Sequence, residues 1–534
     1  MKRKGILIGV VIIVLIAGIF IAKNFFQKKS SKNEISIVLG TEPNSLDPAI
    51  SLTIDVRSYL SHLFEGLVKL DEKGQVQEAV ADKWEYNKDK TEVKFHIRDN
   101  AVWSDGSNIT ADDFKYAWLR VLNPETASGW ASFLYYIKGA EDYNLGKTTA
   151  ASVGIEVIDD NNLLVKMESP CSFFVSMTAI QPYYPVKKSI VEQYGEKWAQ
   201  NKDTYVTNGA YTLDNWEHES KITIVKNSKY WNNKKVYIDK INFMLYSDSS
   251  AILNIYESGE IDYVENMLTF DEMKQVDSTE ESDFAHTKFL ALNSKSKVFE
   301  NEKVRKAISI ALDRTVIAEK MGAGFKPLTG FIPYGFYNTA ENTDFTQDSN
   351  STKYLSETAQ IEEAKKLLEE AGYKNGKGLK KITYLTGSSS TNVALAEIIK
   401  NQLEAIGLKV DIQVLESKVF NTYRREKKFD IVAAGWAAEY PDITSYLYGF
   451  RSTDINNYAS FASKEFDEKY TKILQTEDIK EKYKLTHEAE DLVMESYLIV
   501  PLWNERRSFI RNDKLIDFYH DVTGCLNFNN SIVK

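Results

Sequence analysis

The chain has 534 residues, 43% of them hydrophobic, enough to bury a core that spreads over more than one lobe. Its formal net charge of -10 excludes non-specific nucleic-acid binding, which needs a positive field. Aromatic residues make up 12%. That content suits a Tyr-rich core and an adaptable binding surface equally, so composition does not choose between them.

The N-terminus is bipartite. Met1-Lys2-Arg3-Lys4 is basic, Ile6 to Ala22 is an uncharged apolar run, and Lys28, Lys29 and a Ser-Lys-Asn linker follow. As a helix this run spans roughly 25 Å, short of the ~30 Å hydrocarbon core, and Phe25 and Phe26 extend it. The leading cations orient it with the rest of the chain outside the cytoplasm. No Ala-x-Ala cleavage site is present. Leu15-Ile16-Ala17-Gly18 is similar to a lipoprotein box, but position 19 is isoleucine where lipidation requires cysteine. Residues 1–33 are expected to form a membrane anchor or signal segment with its linker, an uncleaved anchor being the favoured reading. Cys171 and Cys525 leave both a disulfide and two separate thiols open.

After the linker the pattern is mixed α and β. Strands are predicted at Glu34–Leu39, Thr91–Ile97 and Lys221–Val225 from period-two alternation. Thr110 with Asp112 and Asp113 reads as a capped helix start. The clearest βα alternation begins with a helix at Ile361–Ala371, closed by Gly372. Strand Ile382–Leu385, helix Val393–Ala405 (stopped by Gly407), strand Lys409–Val414, helix Ser417–Lys427 and strand Phe429–Ala434 follow. This order implies parallel pairing. The last strand delivers Gly435-Trp436-Ala437-Ala438-Glu439-Tyr440-Pro441-Asp442, a lone acid among aromatics at a strand end. Such a carboxylate is costly unless a cation meets it, and a ligand amine is one candidate.

Catalytic signatures are absent. There is no phosphate-binding Gly-x-x-x-x-Gly-Lys pattern, no His-Glu-x-x-His and no Gly-x-Ser-x-Gly. The six histidines lack metal-ligand spacing, and two cysteines cannot build a thiolate site. No catalytic residue, metal or cofactor is expected.

Several segments together resemble the oligopeptide-binding family, the extracellular solute-binding proteins of peptide ABC importers (solute-binding protein family 5). They are Thr41–Pro48, Leu63-Phe64-Glu65-Gly66-Leu67, Ala81–Glu85, Phe95–Asn100, Trp103–Gly106 and Thr110–Phe114. Asn208–Tyr211 with Trp216, Lys226-Asn227 with Tyr230-Trp231, Ser258–Asp262, and Val304–Ala307 with Asp313-Arg314 continue the series. The resemblance implies an α/β, two-lobed periplasmic-binding-protein-like fold with an extra subdomain, type II and class C-like. Lobe I takes 34–66, 189–285 and 506–534, the inserted subdomain 67–188, and lobe II 286–505.

It also implies a site. Glu439 matches the acid that holds a peptide's α-ammonium, as glutamate where the family more often has aspartate. Gly435 and Ala438 would offer backbone groups, and Trp436 and Tyr440 would wall the pocket or pack the core. Ser58 and Tyr59 fall where first-lobe contacts are expected; Trp130 and Phe284 stand where aromatics approach the ligand. Arg424 would meet a ligand carboxylate or remain an exposed helix charge beside Arg425. Some members carry an arginine at the position of Ala433, so that clamp is missing and tolerance of ligand length follows. Ala437 and His286 occupy the places of a cysteine pair used elsewhere in the family. The implied function is a monomeric cell-surface receptor that binds peptides, does not bind nucleic acid, and delivers its cargo to an ABC permease. The alternatives are the same fold holding a metal chelate, haem or signalling peptide, and a membrane-anchored hydrolase.

Overall fold

Two long strands, Thr279–Leu292 and Ile499–Arg511, run antiparallel through the middle of the molecule. The computed structural model describes residues 33–534 except 41, 52, 53, 266, 274, 277, 278, 323, 439, 441 and 455. The expected anchor run and Glu439 therefore lie outside the described residues. Among those described, no helix is long and apolar enough to cross a membrane.

The two central strands belong to one eleven-stranded sheet. On one side they are extended by Ile431–Ala437, Ile382–Gly387 and Val410–Leu415. On the other they are extended by Tyr263–Glu265, Glu34–Val38, Lys240–Met244, Lys221–Lys226 and Tyr211–Glu217. Lys326–Pro327 adds to the Ile499–Arg511 strand. A separate four-stranded antiparallel sheet forms within residues 81–166. The capped helix Ala111–Leu122 follows Thr110, whose N–H donates to Asp113 at 2.9 Å.

Hydrophobic burial divides the same way. One core runs from Ile35 to Tyr263 and closes on Phe509, Leu526 and Phe528. A second runs from Ala285 to Trp503, with Val522. The chain thus folds as two α/β lobes that share a sheet.

The βα set was well placed by periodicity. Helix Ile361–Glu370 ends before Gly372 at φ 89°, and helix Ser390–Glu404 before Gly407 at φ 90°, the left-handed positions that glycine occupies without strain. Ile382–Gly387 pairs in parallel with Val410–Leu415 and with Ile431–Ala437.

The motif segments mostly hold the architecture together. Glu65 accepts hydrogen bonds from Tyr230 and, at 2.6 Å, from Trp231. Asn208 bonds both the N–H and the C=O of Glu65. A Cβ on Gly66 would lie 2.1 Å from the Thr178 carbonyl oxygen, and one on Gly209 2.5 Å from the Leu63 carbonyl carbon. Arg314 is fully buried and donates to the carbonyls of Ser309, Leu312, Ser356 and Pro501; burial pulls its pKa down to about 9.

The C-terminal tail is pinned to helix Ile54–Leu63. Leu526 N–H donates to Ser58 Oγ at 3.1 Å and Phe528 N–H donates to His62 Nε2 at 2.9 Å. His62 Nδ1 then carries the proton and donates to the Ser58 carbonyl at 2.6 Å. Burial holds its pKa near 4. The two cysteines are both buried and both free, which removes the disulfide reading.

Candidate functional site

The two lobes meet where the central ribbon breaks register. Asp283 pairs with Arg506, but the next paired residue is Thr287, with Asn504, so Phe284-Ala285-His286 face Glu505 alone. Asn504 is buried and its side-chain amide donates to the carbonyls of Phe284 and His286, at 2.6 and 3.0 Å. A bulge like this bends the ribbon and raises its local twist.

On the second-lobe side lies the strand that was read as Phe429–Ala434. It spans Ile431–Ala437, so Gly435, Trp436 and Ala437 are in the ladder rather than beyond it. His286, Thr287 and Lys288 supply their partners. The other neighbour, Ile382–Gly387, pairs only with Ile431 and Val432. Ala438 N–H donates to Ala285 C=O at 2.8 Å, and Asn293 N–H to Asp430 C=O at 2.9 Å. Alternation from those two bonds sends the main-chain groups of Trp436 and Ala434 toward Thr279–Leu292. Those of Gly435 and Ala437 point the opposite way, along an edge that no strand among the described residues covers. Of the two residues expected to offer backbone groups, Gly435 has its own on this open edge. Ala438 has its N–H committed to Ala285, and Ala437 takes its place.

The aromatic side chains divide. Trp436 is half-buried, donates from Nε1 to Ser445 C=O at 2.8 Å, and meets Tyr448 edge-on at 4.9 Å. A Cβ on Gly449 would come within 2.3 Å of its ring. Tyr440 is buried and stacks on Phe173 at 5.1 Å and 9°, with Tyr136 at 6.3 Å. It joins the second lobe to the 67–188 region and packs as core. Two further ties join the same regions: Ser172 N–H on Leu474 C=O at 3.1 Å and Ser172 Oγ on Thr476 C=O at 3.2 Å.

Phe284 is buried, stacked on His286 at 5.7 Å and covered by the Arg507 guanidinium at 4.8 Å. Arg507 pairs with buried Glu265 at 2.5 Å, and Glu265 also takes bonds from His520 at 2.8 Å and Tyr263 at 2.9 Å. Burial alone would raise the Glu265 carboxyl; the charges and bonds of His520 and Arg507 outweigh it and hold the pKa near 2.

Ser58 and Tyr59 are buried in the first core. Ser58 Oγ accepts from the tail, and the Tyr59 ring packs edge-on against Phe243 at 4.6 Å. Both face inward because they lie on the buried side of their helix. Trp130 is also buried and donates to Ser51 C=O at 2.5 Å, anchoring the 47–51 turn.

Arg424 is half-buried while Arg425 is exposed. Its guanidinium lies over Tyr458 at 4.7 Å and Phe420 at 5.3 Å, and its buried Nε has no hydrogen-bond partner among the described residues. Lys288, opposite Gly435, was missed by sequence reasoning. Burial lowers its pKa; Glu505 raises it and Arg424 lowers it further. Burial likewise keeps His286 neutral, although Glu505 Oε2 lies 3.2 Å from Nδ1, off the line of a hydrogen bond. Among the described residues, no group of three metal-ligating side chains forms.

The model of the family described as bacterial extracellular solute-binding proteins, family 5 Middle, matches residues 75–458. The chain belongs to that family. It is 34% identical over 476 residues to the periplasmic oligopeptide-binding protein OppA of Salmonella typhimurium, covering 87% of this chain and 86% of that protein. Its structure matches the murein tripeptide-binding protein MppA in its unliganded open form with a TM-score of 0.83 at 27% identity, over 94% of this chain and 98% of that one. Against Haemophilus influenzae OppA in complex with RPPGFSPFR the TM-score is 0.69 at 29% identity, over 94% and 99%.

Proposed function

We propose that the protein captures extended peptides between its lobes and delivers them to an ABC-type permease. The observation that carries this reading is the uncovered edge at Gly435 and Ala437. An extended ligand adds there as a strand, and main-chain pairing is indifferent to side-chain identity. The peptide-binding names of the relatives support it. Glu439, two residues beyond Ala437 in sequence, is assigned the ligand's α-ammonium. Closure bends the ribbon at Phe284–His286 and Glu505, which supports lobe boundaries at 285/286 and 505/506 and leaves 67–188 as the inserted subdomain. The apolar run 6–22 is assigned as the anchor that holds the receptor, as a monomer, on the outer face of the cell membrane.

Native mass spectrometry of the region from Ser31 onward tests the reading. Mixed-sequence peptides are expected to co-purify; a single metal-bearing species overturns it. Glu439→Ala is expected to weaken peptides with a free N-terminus by about 3 kcal/mol, the cost of leaving a buried charge unpaired. Equal affinity of the parent protein for free and N-acetylated peptides removes the role given to Glu439.

A further inference from the structure

We infer that a pocket in the second lobe, walled by helix Ile479–Glu495 and the segment 327–353, takes a small protonated primary amine that is separate from the peptide cargo. The pocket holds about 120 Å³, and none of its lining residues belongs to the site described above. Leu328, Ile332 and Phe345 give it apolar walls. Glu490 and His487 reach it from one face of the helix, three residues apart. Its rim is exposed and adds one charge of each sign, Glu357 and Lys353.

The inner wall carries an acid without a counter-charge. Glu490 is 3% exposed. Its Oε1 accepts from the N–H groups of Phe331 and Ile332, at 2.6 and 2.8 Å, and its Oε2 makes no hydrogen bond among the described residues. Gly330 lets the chain come this close, since a Cβ there would lie 3.0 Å from Oε1. The charges acting most on Glu490 are two more acids, Asp491 and Asp348. Burial, helped by those acids, outweighs the two N–H bonds and pushes its pKa up to about 7.

His487 is the second open group. It is 4% exposed and stacks on Phe345 at 3.7 Å and 6°. Neither ring nitrogen has a hydrogen-bond partner among the described residues, although Nε2 lies 2.8 Å from Asp348 Oδ1, off the line of a bond. Burial lowers its pKa against the pull of Asp348, Asp491 and Glu341, so the ring is neutral and one nitrogen keeps its lone pair. The surrounding acids are already engaged: Asp348 accepts from Asn338 and from Asn350 N–H, Asp491 from Tyr354, and Glu341 from Ser349.

Two open acceptors on an otherwise apolar pocket call for a donor that is charged and carries a hydrocarbon tail. An ammonium is donor only: it meets Glu490 Oε2 as a charge partner and the imidazole lone pair as a second acceptor, while its tail lies on Leu328 and Ile332. The desolvation that holds a proton on Glu490 is the cost this cation relieves. A metal ion suits the pocket less, because no three metal-ligating side chains come together among the described residues.

Saturation-transfer NMR on the full chain, with n-butylammonium chloride as the probe, tests the site. Saturable binding is expected at about pH 8 and should be about tenfold or more weaker at about pH 5.5, where Glu490 holds its proton. The uncharged isostere 1-butanol is expected to bind about tenfold or more weaker than the amine. Glu490→Gln keeps an oxygen for Phe331 and Ile332 and is expected to abolish binding. Glu439→Ala removes the acid assigned to the cargo's ammonium and is expected to leave it unchanged. No saturable binding, equal binding at the two pH values, equal binding of 1-butanol, retention in Glu490→Gln or loss in Glu439→Ala each overturns the site. The pH and 1-butanol comparisons use the parent protein, so they decide the matter even where Glu490→Gln fails to fold.

Discussion

Two charged clusters flank the ribbon, and they are built on opposite plans. Around Glu265, one carboxylate takes bonds from Arg507, His520 and Tyr263, while the buried Arg507 Nε has no partner among the described residues. Around Lys288, among the described residues, burial and Arg424 disfavour the ammonium and Glu505 favours it, and the Arg424 Nε has no hydrogen-bond partner. A buried carboxylate met by three donors reads as structure, whereas a desolvated ammonium with a second cation acting on it is the costlier arrangement.

The sharpest way to break the comparison is to remove one group from each. Glu265→Ala strands Arg507 in the interior and is expected to cost about 3–5 kcal/mol in chemical denaturation. Lys288→Met removes a partly buried, unpaired charge and is expected to leave stability within about 0.5 kcal/mol of the parent or to raise it. Equal losses in the two variants erase the distinction.

Acid titration is the next test. Glu265 has a folded pKa of about 2 against an ordinary 4.5, so the folded state binds fewer protons across that window. Its contribution is complete above pH 4.5 and is lost as pH falls toward 2. That contribution is on the order of 3 kcal/mol. Glu265→Gln is expected to flatten this limb of the stability curve, whereas Lys288→Met leaves it as it is. The smallest expected effect sharpens the second cluster. Glu505→Gln removes the acid that opposes the desolvation of Lys288 and is expected to cost up to about 1 kcal/mol in the same denaturation assay.

Local pattern made part of this legible. The helices and strands from 361 to 434 follow from 3.6- and two-residue periodicity closed by Gly372 and Gly407. The end of the critical strand did not, because Gly435 and Ala437 are poor strand formers and are held in the ladder by Lys288 and His286, about 150 residues earlier in the chain. The same long-range register places Lys288 beside Gly435, and no local window contains both. Ser58 and Tyr59 were drawn toward the ligand by their closeness to a family motif; the structure turns them into the core because the tail Leu526–Phe528 packs on that helix. Tyr440 was expected as a pocket wall or as core, and Phe173, from a distant segment, decides for core.

The uncovered edge at Gly435 and Ala437 carries a hazard as well as a use. Unpaired strand edges template aggregation, and proteins commonly protect them with charge. A second copy adding its own edge here would bring two more cations, another Lys288 and another Arg424, against the first pair. That excess of positive charge therefore discourages the empty receptor from joining its own kind.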